Sequence, residues 1–166
     1  MKTASRILGR TALIFGFAAL VACAGGGGPS YDPDSPEGQA YEFRHAAMYL
    51  AGVRMEFINN MAREQIPLDE AAFVKATAEL AVLTAMMPEG YDTDVLVAES
   101  LSEPSIWSNF DDFEARMNNA IEATAALAEA AQSGGFAAAQ PLVVTTPTTS
   151  SNCSSCHNAY RRSEND

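Results

Sequence analysis

Apolar residues return at three- and four-residue steps in three stretches of this chain, and each stretch predicts an amphipathic helix. The first runs from Tyr41 to about Glu64, with Phe43, Ala47, Leu50, Phe57, Ile58 and Met61 on its stripe and no proline inside. Pro67-Leu68-Asp69 opens the second, with Asp69 as predicted N-cap; Phe73, Ala76, Leu80, Leu83 and Met87 carry it to a stop at Pro88-Glu89-Gly90. After a polar connection to Pro104, the step resumes through Ile106, Phe110, Phe113, Met117, Ala120, Thr124, Leu127 and Ala131, ending at Ser133-Gly134-Gly135. Stripes of this kind read as core, and their three-four alternation predicts a left-handed helical bundle.

The stretch that should supply a fourth helix holds Pro141, Pro147 and the β-branched residues Val143, Val144, Thr145, Thr146, Thr148 and Thr149. It predicts a short or broken helix, then a fresh one from about Ser151 capped by Ser150 or Ser151. No strand pattern or internal repeat competes, so the fold class is all-α.

The N-terminus changes the picture of where this bundle sits. Residues 1–22 carry Lys2, Arg6 and Arg10 ahead of an apolar run, Thr11 to Ala22, too short to span a bilayer stably, which is the form of an export signal. Leu20-Val21-Ala22-Cys23 resembles the bacterial lipobox, whose cysteine is lipidated on sulfur and becomes the new N-terminus. The competing reading is an export signal with an incidental cysteine. Residues 23–39, rich in Gly, Pro, Ser and Asp, read as a tether with a typical reach of about 20 to 25 Å. Residues 40–166 remain as one folded domain, expected on the periplasmic side of a bacterial membrane and held there by lipid.

The 166 residues have a formal charge of −11, and removal of three basic residues with the signal leaves 7 basic against 21 acidic, about −14. This acidic excess excludes nucleic-acid binding by phosphate neutralisation, which needs clustered Lys and Arg.

With Cys23 assigned to lipid, the remaining thiols are Cys153 and Cys156, followed at once by His157. Cys-x-x-Cys-His is the attachment sequence of c-type haem: two thiols add to the vinyl groups and the histidine reaches the iron. Cysteines three apart on a helical turn face the same side, as one macrocycle edge requires. A zinc site, a thioredoxin-like redox pair and a plain disulfide are the competing readings. The first lacks ligands beyond His45 and the second lacks a βαβ setting.

In the first predicted helix, Arg44, Met48 and Gly52 stand one turn apart on one face. A flat macrocycle has room against Gly52 while Met48 reaches its iron and Arg44 meets a propionate. The competing reading of Met48 is an ordinary core methionine. His45, one position round, is expected at the surface or core edge. Arg161, four residues after His157, is placed to stack near the imidazole or pair with a propionate, and Arg162 to be solvated. No Ser/His/Asp set, paired carboxylates or phosphate-binding glycine turn appears, so no enzyme is expected.

The Arg44-x-x-x-Met48-x-x-x-Gly52 pattern combines with the Ile66-Pro67-Leu68-Asp69 turn, Pro104-Ser105-Ile106-Trp107 leading to Phe110 and Phe113, and Cys153-x-x-Cys156-His157-x-x-Tyr160-Arg161. In these features, from about Tyr41 to Arg162, the chain resembles the class II c-type cytochromes of the cytochrome c-prime superfamily. The resemblance implies an antiparallel four-helix bundle with one covalent haem c near the C-terminus, His157 as proximal ligand and Met48 at the distal position. Members with Met there can be low-spin electron carriers, whereas five-coordinate members bind small gases. The expected function is therefore a membrane-tethered one-electron carrier with His157 and Met48 as axial ligands, serving redox partner proteins. Binding of NO or CO by a five-coordinate haem is the alternative. Homodimers, frequent in the family, are a further expectation, and the Pro-Thr run and the lipobox tether depart from its usual form.

Overall fold

Two capping side chains start the bundle. Ser35 Oγ accepts from the Gly38 amide at 3.0 Å and Pro36 stands in the first turn, so α1 spans Pro36–Ala62. Asp69 Oδ1 accepts from the Ala72 amide at 3.0 Å and starts α2, Glu70–Met86, as the sequence predicts. These elements belong to a computed structural model of the protein that describes residues 29–148 and 153–163. Cys23, the export signal and the predicted caps Ser150 and Ser151 lie outside the described residues.

Residues 36–39 are helix rather than tether, because a polar first turn has no stripe to reveal it. α2 ends near Pro88 but passes into a 3-10 turn, Met87–Tyr91. The predicted third helix is interrupted: α3 is a single turn, Ser105–Ser108, and after a break at Asn109 α4 runs Phe110–Thr148.

Inside α4, Gly134 and Gly135 leave helical geometry. Gly135, at φ 65° and ψ −159°, occupies a region essentially reserved for glycine. Here the chain turns back, and Glu70 Oε2 holds the Phe136 amide at 2.9 Å while the Phe136 ring meets Phe73 edge-on at 5.1 Å. The second half of α4 and then α5, Cys153–Tyr160, form the fourth rod of the bundle.

Contacts with rising numbers on one helix and falling numbers on its neighbour make the neighbours antiparallel. Arg44 with Gly90 and Arg54 with Glu79 align α1 against α2, while Phe73 with Phe136 and Thr84 with Thr124 align α2 against α4. Asp112 with Tyr160 and Arg116 with Ser155 align the start of α4 against α5.

The helix break expected at Pro141 and Pro147 is corrected: α4 continues to Thr148. Ala139, Val143 and Thr146 are buried to 1% exposure or less on one face, and Thr146 returns its hydroxyl to the Leu142 carbonyl at 2.8 Å. That tertiary burial outweighs local propensity. Of the predicted stripe residues in α3 and α4, Phe110 alone is exposed, whereas Ile106, Phe113, Met117, Ala120, Thr124, Leu127 and Ala131 are buried. Leu50 is likewise exposed on α1.

Candidate functional site

A cavity of about 680 Å³ lies among α1, α2, the start of α4 and α5. Arg44, Met48, Gly52, Cys153, Cys156, His157 and Arg161 all line it, so the fold brings together every predicted haem-site residue, although α1 and α5 are about a hundred positions apart. Leu80, Met87, Ile106, Phe113 and Met117 make much of the remaining wall apolar.

Gly52 opens onto free space: a Cβ built there meets nothing within 4 Å. Met48 is half-buried beside it, one turn away. His45 is exposed at the rim and stacks on Tyr41 at 5.6 Å with the rings nearly parallel, where a surface or edge residue is expected.

Arg44 differs from the expectation of a free cationic head. Only 4% exposed, it donates through Nη1 to the Gly90 carbonyl at 2.9 Å and through Nη2 to the Val95 carbonyl at 2.8 Å. Its guanidinium lies over the rings of Tyr91 and Trp107, and burial lowers its pKa. Its buried Nε has no hydrogen-bond partner, so that N–H is open to an anionic group.

On α5, Cys153 and Cys156 are free thiols. Burial raises both pKa values, that of Cys156 to about 11, so the uncombined pair is protonated at neutral pH. His157 is exposed at the cavity, but partial desolvation lowers its pKa and the neighbouring Arg161 lowers it further, which favours the neutral imidazole with a lone pair for a metal.

A clamp outside the predicted set orients this helix. Asp112 accepts from Arg116 Nε at 2.7 Å and from the Tyr160 hydroxyl at 2.6 Å. Arg116 Nη1 also donates to the carbonyl and hydroxyl of Ser155, both at 3.1 Å. These bonds hold the Asp112 carboxyl below its ordinary pKa, that of Arg116 first and that of Tyr160 next. The spacing of Asp112 and Arg116, acid four residues before base, was visible in sequence, but their partners on α5 were not.

At the other end of α5, the Glu103 amide donates to the Tyr160 carbonyl at 2.9 Å and the Arg162 amide to the Leu101 carbonyl at 2.7 Å. The Arg162 guanidinium donates to the Ser100 carbonyl and is half-buried, contrary to the solvated charge expected. Arg161 remains at the cavity, bridged through its backbone to Ser102.

These residues fit a haem. Two thiols three residues apart and an adjacent imidazole share a largely apolar cavity, whose size lies in the roughly 300 to 1,000 Å³ range of ligand pockets. Among the described residues no group of three or more His, Cys, Asp or Glu gathers to hold a metal by itself, which leaves the zinc reading without a ligand set.

The geometry agrees with what the chain is similar to. Residues 39–161 match the family model for cytochrome c'. Cytochrome c' of Pararhodospirillum photometricum is 30% identical over 130 residues, covering 76% of this chain and 98% of that protein. Cytochrome c prime from Shewanella frigidimarina superimposes with a TM-score of 0.69 at 26% identity, covering 75% of this chain and 95% of its own. A nitric oxide complex of a mutant cytochrome c prime from Alcaligenes xylosoxidans gives a TM-score of 0.68 at 21% identity, with 76% and 95% covered. With the bundle, the cavity and the C-terminal Cys-x-x-Cys-His in agreement, this chain belongs to the cytochrome c' family of class II c-type cytochromes and carries a single covalent haem c.

Proposed function

We propose that this protein binds a small diatomic gas, nitric oxide or carbon monoxide, at a haem held on one side by His157. The observation that carries the reading is the match of residues 39–161 to the cytochrome c' family, joined to a largely apolar cavity that His157 and Met48 both line. The nitric oxide complex of the structurally similar Alcaligenes protein supports it. Haem bound here would supply an iron able to take a small added ligand.

In this reading Cys153 and Cys156 would attach the cofactor, and neutral His157 would offer its lone pair to the metal. The Asp112–Arg116 clamp keeps the ring of His157 on its approach by holding Ser155 and Tyr160. Arg44, with Nε unpaired, would offer a donor to a propionate. Met48 would pack in the chamber against a mostly apolar wall, without bonding the metal.

The electron carrier expected from the sequence becomes the second reading, favoured by Met48 lining the same cavity as His157. Optical spectra of the ferric and ferrous protein, with and without carbon monoxide, separate the two. Gas binding predicts a high-spin wild type that takes up carbon monoxide, with Met48→Ala leaving the spin state unchanged. A low-spin wild type that turns high-spin in Met48→Ala would transfer the assignment to electron transfer.

The Leu20–Cys23 segment supports export and lipidation, and so a site on the periplasmic side of a membrane. Tyr49, Leu50 and Val53 on α1 and Val82 and Met86 on α2 are exposed apolar side chains, which supports pairing of two copies.

A further inference from the structure

The segment ahead of α1 lies outside the stretch that matches the family, which begins at residue 39. It is nevertheless built onto the domain. The Ser35 amide and hydroxyl both donate to the Asp32 carbonyl, at 3.1 and 2.7 Å, and the Asp34 amide donates to the Asp32 carboxylate at 3.0 Å. This turn sits so close on α1 that any side chain at Gly38 would collide with the Asp32 carbonyl.

From the turn, the segment runs along the rim of the cavity. The Tyr31 ring meets Tyr41 edge-on at 5.0 Å, and its hydroxyl donates to Glu42. Ser30 then donates to the Glu99 carboxylate, through its amide at 3.1 Å and through its hydroxyl. Tyr41 on α1 and Glu99 on the loop ahead of α3 both line the cavity, so the segment joins two separate parts of its wall.

We propose that residues 30–35 form a strap over the rim of the haem cavity that restricts ligand entry, with Ser30–Glu99 as its latch and the Asp32–Ser35 turn as its hinge. The ligand in this proposal rests on the gas-binding reading; the latch does not. Its hydrogen bonds are exposed, and exchange with water makes each worth little, so the strap opens often. It closes onto a loop that is already tied to the helix of His157 through Glu103–Tyr160 and Leu101–Arg162.

The test compares the haem-loaded chain with two differently opened forms, Ser30→Ala/Tyr31→Ala, which removes the latch hydroxyl and the ring contact, and Gly38→Ala, which displaces the turn. Association of carbon monoxide and of the bulkier tert-butyl isocyanide is measured by flash photolysis in a Met48→Ala background, where no thioether competes. Hydrogen exchange over residues 97–103 is followed in parallel without added ligand.

Both opened forms are expected to accelerate carbon monoxide about two- to threefold and the isocyanide about tenfold, with dissociation unchanged. Exchange at 97–103 should quicken about three- to tenfold while α2 is unaffected. Equal association rates for both ligands with and without the strap overturn the proposal, and so does unchanged exchange. A haem-loaded protein that binds neither ligand overturns the gas-binding reading instead, and the exchange result then decides the latch alone.

Discussion

Gly52 offers a substitution whose effect should reverse sign when the cofactor is present. It lies well inside the 27-residue helix α1, where glycine costs about 0.8 to 1.0 kcal/mol relative to alanine. A methyl group there meets no atom within 4 Å, so Gly52→Ala carries no steric charge in the chain without haem. That form should gain nearly the whole propensity difference, and its midpoint of thermal unfolding should rise by about 3 to 5 °C. If the macrocycle lies against the bare backbone at Gly52, the same methyl overpacks the haem-loaded form by about 1 to 3 kcal/mol. The gain is then cancelled or reversed.

The assay is circular-dichroism melting of both forms, wild type and Gly52→Ala, with the haem-free chain produced without the attachment machinery. Covalent haem yield in the loaded form is scored by staining after denaturation. A destabilised haem-free variant would mean that the space beyond Gly52 is filled. An equal gain in both forms would remove the macrocycle from this wall of the cavity and refute the role assigned to Gly52.

The Asp112 clamp sets an acid limit. Because the folded carboxyl titrates below its unfolded value, its contribution is present above the ordinary Asp pKa, near 3.8, and disappears as pH falls through the lower folded value. Hydrogen exchange of α5 should accelerate at pH below about 4, and Asp112→Asn should remove that pH dependence. Arg44→Ala should cost about 2 to 3 kcal/mol in urea unfolding by stranding the carbonyls of Gly90 and Val95, and Arg44→Lys less. Leu50→Glu should shift sedimentation toward the monomer without altering the haem spectrum, since its side chain is 47% exposed on the outer face of α1. Cys23→Ala should abolish incorporation of labelled palmitate in a bacterial host, and persistent labelling would rule out Cys23 as the acylated residue.

Helix periodicity made the core legible because burial repeats with the turn: Phe73, Ala76 and Leu80, or Phe113, Met117 and Ala120, show their face without any partner. It failed where a residue's role depends on something distant. Leu50 and Phe110 carry the right spacing but face outward, because periodicity cannot tell a core from a surface awaiting a partner. Pro141 and Pro147 carry a local veto on helix that the burial of Ala139, Val143 and Thr146 overrides. Within the site, Cys153, Cys156 and His157 could be proposed together from the sequence because their spacing is a matter of a few adjacent residues. Arg44 was placed on the proper wall, yet its two carbonyl partners, 46 and 51 residues away, were invisible.

The same distinction bears on how this family member acquires its function. The residues predicted to attach the cofactor occupy less than two turns of α5, so their spacing is set locally. Under the proposed function, what the metal does next would depend on α1, which brings Met48 and Gly52 into the cavity from the opposite end of the sequence. α1 is positioned through Arg44 on Gly90 and Val95, and α5 through Asp112, Arg116 and the Leu101–Glu103 loop. Neither set of bonds includes a haem-attaching side chain. A substitution in these supports can therefore alter the distance between Met48 and the metal while leaving attachment intact. The choice between a sixth ligand and a gas site would then follow helix placement: Arg44→Lys, which loosens α1 on Gly90 and Val95 and alters the donor offered to a propionate, should change the spin-state balance without changing the yield of covalent haem.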